Sequence, residues 1–412
     1  MTAAHVFTVT PATVGGEDPA GRLVARALSG EGVSVASRQI VAEEETALES
    51  ALSGALDAGS LIVILAPPGG SGGEIVRRAL ARSTGTRLVL NDKLLALLEE
   101  DFARRGQAMP HRLDRLALLP QGAALWPAPS GEPGWILEAR DSLIVVLPPG
   151  SAQLPALIDQ HLKPLARRRL SGEASVLRIL LTAGLSAADA EDRLAPWLGK
   201  GGPVSVSSVI VQGDVWVRLL ARGASREAAA EALGPVESAV RSALGEDCYG
   251  SDDDSLEAVV GTSLVERGLT VSVAESCTGG LLGHRLTNIP GSSRYFERGV
   301  IVYSNEAKQE LLGVPEALLR AHGAVSRPVA EAMATGICRA SGARCGLAVT
   351  GIAGPDGGTP TKPVGTVFIA AAAPAGIDVR HFRFTGGRDS VKWQSAQCAL
   401  DMLRRALVRL PR

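Results

Sequence analysis

Continuous apolar runs that alternate with amphipathic segments constrain the fold of this 412-residue chain more than any other feature. The clearest run is Leu61–Ala66 (LIVILA). It follows Glu44–Ala58, which has a leucine at every fourth position, and precedes the helical segment Glu74–Ala81. A strand that is apolar on both faces must be covered on both faces, which is typical of a parallel sheet between two layers of helices. The sequence therefore predicts an α/β fold.

Two polar stretches divide the chain. The basic run Arg167–Arg169 is followed by Ser171–Gly172, and the acidic run Gly245–Asp254 precedes the last third of the sequence. Runs of this kind are typical of domain boundaries, and a chain of this length is expected to hold several domains. We predict three domains, at residues 1–170, 171–250 and 251–412.

Strands and helices are expected to alternate in each of these segments. In the first they include His5–Thr10, Ala20–Gly30, Val33–Val41 and Leu143–Leu147. In the middle they are Val176–Leu181, Ala187–Leu198, Val204–Val211, Val215–Ala221 and Arg226–Leu244, with a hairpin turn at Gly213-Asp214. In the last they include Thr270–Ala274, Gly299–Tyr303, Arg327–Ala340, Gly346–Thr350, Val364–Ala373, Val379–Phe384 and Ser390–Leu410. Asp254 and Glu257 resemble a capping box that begins a helix over Ser255–Glu266.

Composition excludes several classes of function. The 42 Lys and Arg nearly balance the 43 Asp and Glu, so the net charge of −1 gives no global attraction to nucleic acid or to an anionic membrane. No apolar run approaches the roughly 18 residues of a membrane span, and no leader pattern is present at the N-terminus. The five cysteines form no CxxC pair and the six histidines no HExxH motif, which predicts reduced thiols, a cytoplasmic protein and no transition-metal site.

The most informative stretch is Val273–Gly280 (VAESCTGG), where an apolar strand is followed by small and hydroxylated residues and then by a helix expected over Thr278–Asn288. A turn of this kind can hold a nucleophile such as Ser276 at the rim of a sheet. It can also direct free backbone N–H groups toward an oxyanion or a phosphate. The alternative is that Ser276 or Thr278 only caps the helix.

Two further segments carry candidate groups. In Val302–Lys308 a strand is expected to deliver Tyr303, and Lys308 lies in the first turn of the next helix. A lysine made neutral by burial could take a proton from Ser276, with Tyr303 relaying or positioning it. The alternative is a surface lysine and a core tyrosine.

The run Thr350–Gly358 (TGIAGPDGG) is a glycine-rich loop that lets the backbone approach a ligand closely. It is not a Walker A loop, since no GK[ST] follows, and by itself it fits any wide turn. Arg388, in the segment Gly386–Asp389 that begins the last helix, could hold a phosphate bidentately or could be a solvated arginine.

Five motifs occur in order in the last 160 or so residues: AESCTGG, GVIVYSNEAK, HGAVS, VTGIAGPDGG and KPVGTV. Together they resemble the C-terminal domain of the CinA family, which is the nicotinamide-nucleotide amidohydrolase family. The resemblance implies that nicotinamide mononucleotide (NMN) and water give nicotinate mononucleotide and ammonia, in pyridine nucleotide salvage, without a cofactor and in a homodimer. It implies Ser276 as nucleophile, rather than the neighbouring Cys277, Lys308 as general base and Tyr303 beside it. Thr350 completes the implied catalytic set, and the implied substrate-binding residues are Thr278, Gly279, Gly351, Gly354, Gly357 and Arg388.

The order of domains also resembles full-length CinA: a molybdopterin-binding-like α/β domain, a small KH-like α+β domain and the amidohydrolase domain. The first domain departs from the family pattern. Thr10-Pro11-Ala12 stands where a GTE-type turn is usual, and Ala66–Glu74 (APPGGSGGE) replaces a GGxGPTxDD-type loop. Only Glu74 remains to offer a carboxylate to a divalent metal. The metal-dependent ADP-ribose pyrophosphatase activity known in the family is therefore not expected, and we favour a scaffold or dimerisation role.

The middle segment contains Gly199–Gly202 (GKGG), which fits the GXXG form of KH modules. Residues 171–250 hold 7 Lys and Arg against 10 Asp and Glu, which disfavours nucleic-acid binding and favours a spacer. Two alternatives to the deamidase stay open at this point. One is a non-catalytic partner in competence or DNA damage, and the other is a nucleotide pyrophosphatase that uses the first domain.

Overall fold

A computed structural model of the protein describes residues 3–11, 18–67, 69–104, 106–128, 132–150, 152–169 and 174–411. The chain forms two compact units. Residues 1–177 and 220–234 belong to the first, and residues 178–219 and 235–412 belong to the second. The boundary predicted at Ser171–Gly172 lies outside the described residues, as do Ala12 and Pro68 of the two departing loops.

The first unit is built around a mixed sheet. Its strands are β1 (Ala3–Thr10), β2 (Ser34–Ala42), β3 (Leu61–Leu65), β4 (Leu88–Leu90), β5 (Leu118–Pro120), β6 (Ala124–Trp126), β7 (Gly134–Ala139) and β8 (Ser142–Leu147). Its helices are α1 (Pro19–Gly30), α2 (Glu45–Asp57), α3 (Gly70–Thr84), α4 (Asp92–Arg104), α5 (Leu154–Leu157) and α6 (Lys163–Arg169). The main sheet has the order β2-β1-β3-β8-β7-β6, in which β2, β1, β3 and β8 are parallel and β7 and β6 are antiparallel additions.

Strand β3 shows why its sequence is continuously apolar. Ile62 and Ile64 pack in one core together with α2 and α3, while Leu61 and Val63 pack in a second core together with α1. Successive side chains of a strand point to opposite faces, so a strand between two helical layers needs apolar residues at every position. The α/β prediction is confirmed.

The middle segment contains β9 (Ala174–Thr182), α7 (Ala187–Leu194), β10 (Val204–Val211), β11 (Asp214–Gly223), α8 (Arg226–Leu244) and β12 (Cys248–Ser251). The strands form a sheet of order β10-β11-β9-β12. The hairpin between β10 and β11 exists, but its turn consists of Gln212 and Gly213, and Asp214 begins the next strand. The φ angles of Gln212 and Gly213 are 53° and 96°, the positive values that a two-residue hairpin turn requires.

The last segment contains strands β13 (Val271–Glu275), β14 (Phe296–Ile301), β15 (Cys345–Gly351), β16 (Thr366–Ala373) and β17 (Gly376–Arg383). Its helices are α9 (Leu256–Glu266), α10 (Leu281–Thr287), α11 (Asn305–Leu312), α12 (Glu316–His322), α13 (Arg327–Ser341) and α14 (Arg388–Val408). The sheet has the order β14-β13-β15-β16-β17, with β13 parallel to both of its neighbours. Helices α9, α10 and α14 cover one face, and α11, α12 and α13 cover the other.

Two expected helix starts in this segment are wrong. Ser255, not Asp254, caps α9 and accepts a hydrogen bond from the Ala258 N–H, while the Asp254 carboxylate accepts from the Ser251 N–H. Helix α10 begins at Leu281 rather than Thr278, because the two glycines before it adopt left-handed backbone angles that a helix cannot contain. Among the described helices, none is long and apolar enough to cross a membrane.

Polar contacts tie α14 to the middle segment within the second unit. Gln397 donates to Asp214 at 2.6 Å, and Arg405 donates to the Ala183 carbonyl at 2.9 Å and to Asp247 at 2.6 Å. Burial raises the pKa of the Asp214 carboxyl to about 6. The contact with Asp214, the first residue of β11, fixes the tip of the β10–β11 hairpin against α14, and the contacts of Arg405 fix the residues directly after β9 and directly before β12.

Candidate active site

Two adjacent parallel strands bring the first candidate residues together. Glu275, the last residue of β13, pairs in register with Val349 of β15, so Ser276 and Thr350 follow at the same sheet edge. The Ser276 N–H continues the pairing and donates to the Val349 carbonyl at 3.0 Å. Parallel strands place their carboxyl ends at one edge, which is where functional groups of α/β folds collect.

Lys308 lies at this edge and is buried, with only 1% of its side chain exposed. Its Nζ donates to Ser276 Oγ at 3.4 Å, to the Val302 carbonyl at 2.8 Å and to the carbonyls of Tyr303 and Ser304 at 3.3 Å each. Ser276 is itself only 8% exposed. The structure therefore places the Lys308 amine beside the Ser276 hydroxyl, although the two residues are distant in the sequence.

The charge of Lys308 is poorly compensated. Burial lowers the pKa of its ammonium from the ordinary 10.5, and the nearby Cys277 and Glu306 oppose this shift only in part. No carboxylate in the described ranges forms an ion pair with Lys308. A buried lysine without a counter-charge is the environment in which the neutral amine is favoured.

Glu275 organises the turn that carries Ser276. Its buried carboxylate accepts hydrogen bonds from the N–H groups of Gly280 at 3.0 Å, Leu282 at 3.1 Å and Gly283 at 2.8 Å. The expectation that these first N–H groups of the helix are free for a ligand is therefore wrong, because a side chain of the protein already caps them.

The N–H groups of this turn differ in whether they have an acceptor. Those of Ser276, Gly279, Gly280 and Leu281 all have acceptors, whereas the N–H groups of Cys277 and Thr278 have none in another described residue. Cys277 and Thr278 are 4% and 0% exposed, and the Thr278 hydroxyl oxygen is buried without a partner. Buried donors of this kind are rare in folded proteins, and they cluster at functional sites.

Cys277 is in a poor environment for a nucleophile. Burial raises the pKa of its thiol to about 12, so the reactive thiolate is disfavoured. Gly279, by contrast, is exposed, with φ at 60°. The turn thus presents Ser276 beside the amine and keeps its neighbouring sulfur protonated.

Tyr303 lies differently from the expectation that its side chain assists Lys308. Its carbonyl faces Lys308, but its side chain is 61% exposed and its hydroxyl accepts a hydrogen bond from Arg388 Nη2 at 3.1 Å. Arg388 Nη1 donates to the Gly354 carbonyl at 2.8 Å. Strand β14 ends at Ile301 rather than at Tyr303, so Arg388 joins the segment after β14 to the glycine-rich loop.

Thr350 is buried at the sheet edge beside Ser276, and its hydroxyl donates to the Ala324 carbonyl at 2.9 Å. The following glycines permit close packing of the loop. A Cβ at Gly351 would lie 2.6 Å from Val367 Cγ2, and one at Gly354 would lie 2.6 Å from Val364 Cγ1. Gly357 is exposed, with φ at 86°.

Three segments of the chain match families of known proteins. Residues 253–407 match the family described as CinA C-terminal domain, residues 177–250 match the Damage-inducible protein CinA KH domain, and residues 8–168 match the family described as Probable molybdopterin binding domain. A Symbiobacterium thermophilum protein, whose name describes it as competence-damage inducible, is 40% identical over 398 residues, 93% of each chain. The chain belongs to the CinA family.

The chain is also similar to two further proteins. A CinA-like protein of Geobacter sulfurreducens is 39% identical over 391 residues, 94% of each chain. The crystal structure of competence/damage inducible protein CihA from Agrobacterium tumefaciens is 44% identical and covers 37% of this chain and 94% of that chain, with a TM-score of 0.37. The matches to the three domain families confirm the three predicted kinds of domain, in the predicted order.

The N-terminal segment of this CinA-family chain keeps Glu74 engaged with arginines. The Glu74 carboxylate lies 3.3 Å from Arg78 and 3.9 Å from Arg115. In the described part of the chain, no group of three or more His, Cys, Asp or Glu side chains is placed to hold a metal ion.

Sequence reasoning missed Glu275 and a cavity beside the site. Glu275 is the acidic residue directly before the candidate nucleophile, and a carboxylate at the end of an apolar strand could have indicated a cap for the turn. The cavity, of about 430 Å³, is lined by Gln212, Leu281, Asp389, Ser390, Lys392 and Trp393. No local pattern joins Gln212 to α14, so the sequence carried no signal for it.

Proposed function

We propose that this protein hydrolyses the carboxamide of NMN to give nicotinate mononucleotide and ammonia, with Ser276 as nucleophile and Lys308 as general base. The observation that carries the proposal is the placement of the Ser276 hydroxyl beside a buried lysine without a counter-charge. A serine hydroxyl attacks an amide only when a base removes its proton, and a neutral amine can supply that base. The nucleotide substrate is the part that rests on family resemblance.

The basic role requires the neutral form of Lys308, which burial favours. A neutral amine has two hydrogens and one lone pair, and three backbone carbonyls surround Nζ. In this form two of the carbonyls accept the hydrogens, and we assign the lone pair to Ser276 Oγ. Lys308 then accepts the hydroxyl proton as Oγ bonds to the amide carbon.

The remaining steps balance with water alone. Lys308 returns the proton to the amide nitrogen, the C–N bond breaks and ammonia leaves, so an ester remains on Ser276. Water then attacks this ester while Lys308 takes its proton, and the proton returns to Oγ as the carboxylic acid is released and ionises. The cycle needs no metal and no redox partner.

The N–H groups of Cys277 and Thr278, which have no acceptor in another described residue, fit the charge that develops during both attacks. The carbonyl oxygen becomes negative as either tetrahedral intermediate forms, and fixed backbone donors stabilise that charge without reorganising. Glu275 holds these donors in place by capping the helix behind them.

Roles for the other candidates follow from their contacts. Thr350, beside Ser276, ties the end of β15 to the segment before α13 through the Ala324 carbonyl. Arg388 uses two donors to join Tyr303 and Gly354, and its other N–H groups are available to a substrate phosphate. The glycine-rich loop and the turn at Gly279 then border the substrate.

The test is direct. The purified protein is incubated with NMN, ammonia is measured by an enzymatic assay, and the nucleotide product is identified by chromatography against nicotinate mononucleotide. The proposal predicts equal amounts of both products from the wild type and none from Lys308→Met. A wild-type protein that is folded and releases no ammonia from NMN would contradict it.

A further inference from the structure

We propose that the cavity formed by α14, Leu281 and the tip of the β10–β11 hairpin binds the phosphate-bearing end of the substrate, with Lys392 as the anion ligand and Gln212 as a contribution from the middle domain. This inference rests on the proposed function for the identity of the substrate. The cavity has a volume of about 430 Å³, which lies in the range of small-molecule sites.

The cavity adjoins the proposed nucleophile. Leu281 lines it and begins the helix directly after the turn that carries Ser276. Lys392 Nζ lies 3.8 Å from where a Cβ on Gly279 would stand. Gly279 is three residues from Ser276, so their Cα atoms are at most about 11 Å apart. One small substrate can therefore span both places.

Lys392 is half-buried and has no carboxylate partner among the described residues. It follows Arg388 by four positions in α14, so the two side chains share one face of the helix. Neither cation forms an ion pair with a described carboxylate, so this face of the helix attracts an anion, and phosphate is the anion that NMN carries.

The beginning of α14 adds a second, independent feature. Gly387 precedes this 21-residue helix and offers no side-chain cap, and a Cβ there would meet no atom within 4 Å. The first N–H groups of a helix and its positive end favour a phosphate. In α10 the equivalent groups are taken by Glu275, so only α14 offers them here.

Trp393 and Gln212 also line the cavity. One face of the Trp393 ring is covered by Arg285 at 4.4 Å, which fixes the ring that borders the cavity. Gln212 stands at the hairpin tip, and the adjoining Gly213 packs so closely on Gln394 that a Cβ would lie 3.2 Å from it. Asp389, which also lines the cavity, suits ribose hydroxyls, which donate hydrogen bonds to carboxylates.

The experiment separates binding from turnover. Binding of NMN and of inorganic phosphate is measured by calorimetry on the full-length wild type and on Lys392→Met. For the NMN titrations, both proteins also carry Ser276→Ala. Losing a charged hydrogen bond should weaken both affinities about 10- to 100-fold. Lys392→Arg should restore them to within several-fold, and Gln212→Ala should weaken NMN about 2- to 10-fold.

The control is Lys200→Met, which removes the same charge at an exposed position outside the cavity and should leave both affinities unchanged. Nicotinamide riboside, which lacks the phosphate, should bind wild type and Lys392→Met equally. Unchanged phosphate and NMN affinity in folded Lys392→Met would overturn the inference even if the protein deamidates NMN. Phosphate binding that depends on Lys392 in a protein that releases no ammonia would instead overturn the proposed function alone.

Discussion

Replacing Glu275 by glutamine tests how the turn around Ser276 is held. The carboxylate accepts three backbone N–H groups, two at one oxygen and one at the other. A glutamine can keep two of these bonds through its amide oxygen. Its NH2 group then faces the third N–H, which loses its acceptor.

The cost can be worked out from these contacts. One lost charge-assisted bond costs about 1.5–3 kcal/mol, and loss of the negative charge at a helix N-terminus adds about 0.3–1 kcal/mol. We expect local opening of the turn to become easier by about 2–4 kcal/mol. At about 1.4 kcal/mol per factor of ten, this corresponds to amide exchange that is about 30- to 700-fold faster.

Hydrogen exchange with mass spectrometry measures this on the peptide that contains Gly280, Leu282 and Gly283. The kcat for NMN should fall about 100-fold with little change in KM, because the N–H groups of Cys277 and Thr278 lose their fixed orientation. The control Glu316→Gln makes the same chemical change on the exposed side of α12 and should alter neither quantity. Unchanged exchange and unchanged kcat in Glu275→Gln would refute the role assigned to Glu275.

Further predictions concern the buried charges. The kcat/KM for NMN should rise with pH through the pKa of Lys308, which lies below 10.5. Lys308→Arg should be inactive at every pH because a guanidinium stays charged, and an active arginine variant would exclude the base role. Since the folded pKa of Lys308 is lowered, the unfolded chain binds the extra proton, so wild-type stability relative to Lys308→Met should increase as pH rises toward 10.5 in denaturant titrations. Asp214 behaves in the opposite sense: its stabilising contribution is complete below pH 3.8 and is lost as pH rises through about 6. Asp214→Asn should therefore stabilise the protein at pH 8, by at most about 3 kcal/mol, and should give no gain near pH 4.

The sheet edge was predictable because its signals are local. An apolar strand before Ser276, another that ends around Thr350 and a helix whose first turn holds Lys308 each follow from short patterns, and parallel strands must end at a common edge. The pairing of Ser276 with Lys308 needed the family resemblance as well, since the two residues share no local pattern.

The features of the site that the sequence did not predict depend on contacts between distant segments. Helix α10 was expected to begin at Thr278, but two left-handed glycines and the cap from Glu275 delay it to Leu281. The hydrogen bond between Tyr303 and Arg388 joins the segment after β14 to the last helix. Propensity and periodicity describe neighbours in the chain, so neither feature had a local signature.

The nucleophile is the central claim, and it is tested most directly by the rate of ammonia release from NMN in Ser276→Ala and Cys277→Ala, measured beside the wild type at one pH. Removing a covalent nucleophile lowers kcat by several orders of magnitude. We expect that loss for Ser276→Ala and near-complete activity for Cys277→Ala, whose thiol is buried and protonated. A folded Cys277→Ala protein without activity, together with an active Ser276→Ala protein, would contradict it.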